Sequence, residues 1–235
     1  MAGRRFVLLH SPLLGPLAWT PVAAELAGRG HAVQTPAWPR LSRVAGDFYP
    51  ALADGVAAQL SGGGDPPILV AHSGAGALIP ALAARLATPA AGVIFVDAIL
   101  PHPGLSWFDT APAEMRERLR AGAQMGELPS WDAWWPPGAL EQLLPETAAR
   151  EALVAELEPL PLAYFEEPAP PDAFEGPSGY LQLSGAYEAE GVAAGRYGWP
   201  LVHLPLHHLA MLTDPEPIAA ALESLAQRLG EAEHG

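Results

Sequence analysis

The sequence predicts an α/β fold: a mostly parallel sheet flanked by helices, with a helical cap inserted between two strands. Two observations carry this. Short apolar runs alternate with longer Ala/Leu-rich stretches of helical period, almost without a break from residue 6 to residue 97. From 101 to 177 that alternation gives way to prolines, four tryptophans (Trp107, Trp131, Trp134, Trp135) and helical stretches, after which strand signals resume.

The elements follow in order. Arg4 and Arg5 lead into Phe6-Val7-Leu8-Leu9-His10, which reads as a strand, and a helix is expected over 18–27. Gly30 precedes a strand over 31–34, followed by a helix over 44–60. A third strand over 68–72 runs into a helix over 76–86, and a fourth covers 93–97. Strands at 180–183 and 201–204 are each followed by a helix, over 189–197 and 215–229. Several of these helices begin or end at Pro or Gly, as starts and stops require. Residues 1–100 and 178–235 then form the core, and 101–177 a Trp/Pro-rich cap with helices over 113–122 and 140–157 and a Pro-rich linker over 166–177. Leaving one strand's C-terminal end and returning to the next, such a cap sits over the sheet edge where α/β folds bind ligands. Trp107 and Trp131 are therefore expected in the pocket wall, although aromatics of this size also pack an insert's own core.

Composition narrows the chemistry. At 235 residues the chain is long enough for one well-buried core without disulfide or metal. With no cysteine, thiolate catalysis and Cys-based zinc sites are excluded, and a nucleophile has to be an oxygen. No His spacing indicates a metal site, so neither metal nor cofactor is expected. A net charge of -14 with no lysine disfavours nucleic acid and anionic membrane surfaces as partners. No apolar run approaches the ~20 residues of a membrane span, and no basic segment leads into a long apolar one, which together point to a soluble, cytoplasmic protein.

The strongest local signal is Ile68-Leu69-Val70-Ala71-His72-Ser73-Gly74-Ala75-Gly76, an apolar strand that stops at a serine and becomes helix. This is the pattern of a nucleophile elbow, in which small residues two positions to either side let the backbone turn sharply while the serine oxygen stays exposed. Here Ala71 and Ala75 stand where glycine is usual. A phosphate-binding turn is the competing reading, but no Lys-Ser/Thr follows to complete it. A serine hydroxyl is a poor nucleophile at neutral pH and needs a histidine to take its proton. After the last strand signal comes Leu206-His207-His208-Leu209-Ala210-Met211-Leu212-Thr213-Asp214-Pro215, then the terminal helix.

Elbow and histidine loop together resemble the α/β-hydrolase superfamily, and most closely its plant methylesterase and hydroxynitrile lyase group. The resemblance implies Ser73 as nucleophile and His208 as its base, with a carboxylate to orient the imidazole. Two carboxylates compete. Asp97 ends the fourth strand just before the insert, an arrangement similar to that of haloalkane dehalogenases; Glu188 follows the strand over 180–183, where most of the superfamily keeps its acid, about two residues late in the register. Asp97 is taken as the acid, with Glu188 as the alternative. His10 and His203 read as structural or lining residues.

One position departs from the family pattern. In the loop after the first strand the family register puts an oxyanion-binding backbone N–H at Pro12, which has none, whereas Gly74 keeps the second donor. The Ser11 hydroxyl, the Leu13 N–H and the His72 side chain are the candidate replacements, with Ser11 the expected one. The resulting expectation is hydrolysis of an ester or lactone bond in a small apolar substrate. Acid-base chemistry of the lyase or cyclase kind without an acyl-enzyme, and a non-catalytic small-molecule receptor on the same fold, are the alternatives.

Overall fold

The computed structural model describes residues 3–60 and 64–232. Its strands are β1 (Arg5–Leu9), β2 (Ala32–Gln34), β3 (Ile68–His72), β4 (Gly92–Val96), β5 (Glu127–Leu128), β6 (Leu160–Pro161), β7 (Ser178–Gln182) and β8 (Leu201–His203). Six of them form one sheet in the order β2-β1-β3-β4-β7-β8, every pair parallel. Parallel strands covered on both faces need apolar residues at every position rather than alternation. The central pair obeys this: all five residues of β3 and all five of β4 are buried. The helices Thr20–Gly28 and Pro215–Ala232 pack on one another, as do Phe48–Gln59 and Ile79–Ala83.

Three expected helices differ most in their bounds, each for a local reason. The stretch 140–157 is two helices, Ala139–Leu143 and Thr147–Glu156, parted at Pro145, whose missing N–H cannot continue the ladder. After the elbow the chain first makes a tight 3-10 turn, Ser73–Leu78, before the helix Ile79–Ala83. The second helix begins at Phe48 because Asp47 adopts a left-handed conformation (φ 48°). Its first N–H groups are capped from the insert instead: Phe48 and Tyr49 donate to the Glu167 carboxylate at 2.8 and 3.1 Å.

Between β4 and β7 the chain builds short helices, the antiparallel ribbon β5–β6 and an aromatic cluster in which Trp107, Trp134 and Phe165 meet edge to face or tilted. Residues 167–177 carry no regular structure. Besides Glu167, the stretch between β4 and β7 is tied to the core by Glu156, which accepts the Leu17 N–H at 3.1 Å, and by Glu158, which accepts the Ser42 hydroxyl at 2.6 Å. Among the described residues no helix is long and apolar enough to cross a membrane.

Candidate active site

In the sheet register His72 of β3 pairs with Val96 of β4, so Ser73 and Asp97 are each the first residue beyond the paired ends of neighbouring strands. Both are left-handed, with φ of 57° and 42°. Such a conformation costs of order 1–3 kcal/mol for a non-glycine residue and persists only where its surroundings impose it. They do so here: the Asp97 N–H donates to Leu181 at 2.8 Å, and the Ser73 carbonyl accepts from Ile99 N–H at 3.2 Å. Close packing finishes the turn, since a side chain on Gly76 would collide with the Ile99 carbonyl oxygen.

His208 arrives from the loop after β8 and bridges the two. Its Nδ1 lies 3.0 Å from Asp97 Oδ2, and its Nε2 3.2 Å from Ser73 Oγ. Asp97 is fully buried and saturated with donors. Oδ1 accepts the N–H groups of Leu183 and Ser184 at 2.8 and 2.9 Å, while Oδ2 also accepts the Ser184 hydroxyl at 2.6 Å. Burial pulls its pKa upward, but the hydrogen bond and charge of His208, the Ser184 hydroxyl and the Leu183 N–H prevail and hold it below the ordinary carboxylate value.

The imidazole is held on both faces as well. The Tyr187 ring stacks on it at 4.9 Å and 9°, and the His72 ring lies on its other side at 4.5 Å and 35°. His72 Nε2 is 3.0 Å from the His208 carbonyl oxygen, to which its N–H donates, and burial followed by the proximity of His208 keeps His72 neutral by lowering its pKa well below the usual range. Tyr187 contributes a second contact, its phenol oxygen lying 3.2 Å from Ser73 Oγ.

Ser73, Gly74, Tyr187 and His208 open onto a cavity of about 780 Å³. Its far wall is the insert, including Trp107, Trp131, Trp134, Trp135 and Leu140. Glu190 is a carboxylate in the lining, its pKa raised by burial and then by Asp97. Among the described residues no group of three or more His, Asp or Glu is placed to hold a metal ion.

The sequence-derived candidates divide accordingly. Ser73, His208 and Asp97 come together, with Gly74, Trp107 and Trp131 around the cavity. Glu188 lies exposed in the first turn of the helix Glu188–Arg196, and the end of β7 where an acid was sought is occupied by Ser184, a donor to Asp97. His72 is wholly buried beneath His208 and lies outside the cavity wall. Ser11 is buried too, its hydroxyl oxygen facing the Leu13 N–H at 3.4 Å. Pro12 faces the elbow as the register implied: a Cβ on Gly74 would lie 3.5 Å from Pro12 Cδ, the ring carbon that replaces an amide hydrogen. His10 is enclosed between the Ser11 carbonyl and the Trp38 N–H, and His203 is exposed. Tyr187 and Ser184 were not foreseen. The only signal for them is their place in the loop at the C-terminal end of a core strand, where α/β sites assemble.

Sheet order, elbow and a base delivered after the last strand define an α/β-hydrolase architecture. The chain belongs to the alpha/beta hydrolase family, whose model matches residues 6–221. No curated protein matches the sequence significantly. Among solved structures it is similar to an extracellular α/β-hydrolase from a Paenibacillus species, described as sharing structural and functional homology with tobacco salicylic acid binding protein 2 (TM-score 0.74, 21% identity, 94% of this chain and 98% of that one). It is similar to a pyrethroid hydrolase from Sphingobium faniae (TM-score 0.73, 20% identity, 98% and 100% covered). It is also similar to tomato methylketone synthase I (TM-score 0.71, 14% identity, 97% and 100% covered). These neighbours share the fold.

Proposed function

We propose that this protein hydrolyses a carboxylic ester or lactone of an apolar small molecule through an acyl-enzyme on Ser73. The observation that carries this reading is the hydrogen-bonded chain from Ser73 through His208 to Asp97 at the wall of a large, mainly apolar cavity. Because Asp97 is ionised, His208 Nδ1 holds a proton and Nε2 offers a lone pair to the Ser73 hydroxyl. As Ser73 Oγ attacks the carbonyl carbon, its proton moves to Nε2 and the π pair becomes an oxyanion. The intermediate collapses with loss of the alkoxy group, which takes the proton from Nε2. Water, deprotonated by the same nitrogen, then attacks the acyl-serine, and its collapse returns the proton to Ser73 Oγ and frees the acid.

The Trp-rich wall and the scarcity of ionic groups in the cavity support an apolar substrate. The pyrethroid hydrolase among the structural neighbours is consistent with that class. Labelling with a fluorophosphonate is expected to modify Ser73 in the wild type and to leave Ser73→Ala unmodified and inactive. An unlabelled wild type together with a fully active Ser73→Ala would defeat the proposal. One observation favours a second reading, acid-base chemistry without an acyl-enzyme: Pro12 removes an oxyanion donor that a lyase does not need. Product mass separates the two, because hydrolysis adds one water and elimination or cleavage by proton transfer adds none.

A further inference from the structure

Pro12 leaves Gly74 as one backbone donor where acyl transfer ordinarily uses two. The other candidates around the oxyanion loop are bonded within the protein or lie outside the cavity lining, Ser11 included, although its Oγ comes close to Gly74. The Leu13 N–H faces Ser11 Oγ, Ser11 itself is buried, and the His72 Nε2–H donates to the His208 carbonyl from below the site. One further hydroxyl lies within hydrogen-bond distance of the reacting oxygen, that of Tyr187, 3.2 Å from Ser73 Oγ.

Counting protons fixes the direction of that bond. His208 Nδ1–H donates to Asp97, so Nε2 is an acceptor and receives the single Ser73 proton. Ser73 Oγ is left with lone pairs only, and Tyr187 has to be the donor. Its proton is not easily lost, since burial raises the phenol pKa further above its already alkaline value, against a smaller opposing effect of the Ser73 bond. The ring is also fixed in place by stacking on His208.

We propose that the Tyr187 hydroxyl is the oxyanion donor that replaces the backbone N–H absent at Pro12. When Ser73 Oγ bonds to the carbonyl carbon and passes its proton to His208, its lone pairs become those of an ester-like oxygen and poor acceptors. The negative charge forms on the oxygen attached to the same carbon, one atom beyond Oγ. Tyr187 O–H transfers its hydrogen bond to that oxygen without moving its ring and keeps its proton throughout, while Gly74 N–H donates from the elbow. The ring needs no reorganisation, because its stacking on His208 already holds the hydroxyl beside the reacting group, and only the O–H turns from one oxygen to the next. The proposal rests on the hydrolase reading above.

The test is Tyr187→Phe, which preserves ring and stacking. With a p-nitrophenyl alkanoate as probe, kcat is expected to fall ~10²–10³-fold with KM little changed, the effect of deleting one oxyanion donor. Affinity for an alkyl trifluoromethyl ketone, which forms an anionic adduct on serine, is expected to fall in parallel, whereas binding of the corresponding alcohol is not. Adding Pro12→Ala to Tyr187→Phe restores an N–H and is expected to recover at least tenfold of the lost rate. A Tyr187→Phe enzyme with wild-type kcat, a loss of kcat without loss of trifluoromethyl ketone affinity, or a double variant no faster than the single one each overturns the assignment. Failure of the hydrolase reading looks different: the wild type itself would neither hydrolyse esters nor be labelled at Ser73.

Discussion

Asp97 accepts four hydrogen bonds, and the one to His208 reaches the site. Asn at this position can still accept from Leu183 and Ser184 through its oxygen, but its NH₂ then faces Ser184 Oγ and His208 Nδ1. The imidazole has to become the acceptor at Nδ1, which puts its proton on Nε2, where Ser73 needs a lone pair. Asp97→Asn is therefore expected to fold and to lose roughly 10³–10⁴-fold in kcat, the effect of a wrong tautomer in a serine triad. Steady-state kinetics on an ester that the wild type turns over decides this, and undiminished turnover removes Asp97 from the mechanism. Among the individual residues, those that announce themselves by motif were the legible ones. Ser73 is marked by the small residues around it, His208 by its loop, and Asp97 by ending a strand. Tyr187 is 114 residues from Ser73, and no spacing rule connects them. Glu188 competed with Asp97 because a sequence gives distance along the chain, whereas a two-residue offset at a strand end decides which way a carboxylate faces.

Among the elements, the ends of β3 and β4 matter most. Two parallel strands in register end at the same level, and each then places one left-handed residue into the site. The loop leaving β4 crosses the start of the elbow, which leaves no room for a side chain at Gly76. Gly76→Ala is expected to destabilise the protein by about 1–3 kcal/mol, as overpacking does, and to lower kcat through displacement of Ser73. Chemical denaturation alongside kinetics reads both effects, and wild-type values in both would show the turn to be more accommodating than its geometry implies. The strands were legible because β3 and β4, buried on both sides, are continuous apolar runs. Helix bounds were less so. Capping of Phe48 by Glu167 joins residues 119 apart, and sequence propensity registers only local preferences.

At the scale of the whole molecule, acid stability depends on two enclosed histidines. Burial lowers the pKa of His10 from 6.5 to about 4, and lowers that of His72 well below its usual value. The unfolded chain binds protons at both near pH 6.5 while the folded protein does not, so stability is complete above that pH and declines as the pH falls towards the folded values. Urea midpoints are expected to drop steadily from pH 7 to pH 5, with up to one proton taken up at each histidine on unfolding. A flat profile over that window would show that both are protonated in the native protein, and half the slope that only one is. The parallel core and its interruption by an aromatic insert were visible in the alternation of apolar runs. How the insert docks was not, because its side-chain hydrogen bonds to the core include single carboxylates, Glu156, Glu158 and Glu167, indistinguishable in sequence from surface charge.

His208 lies between the rings of His72 and Tyr187 and is engaged at both nitrogens. It is a rotor with no free turn, so the proton-handling machinery behaves as a fixed cassette. Adapting this scaffold to new substrates is then a problem of remodelling the wall that faces the cassette, the tryptophans and leucines of the insert. Libraries confined to residues 101–177 can be searched without re-solving the catalytic geometry each time.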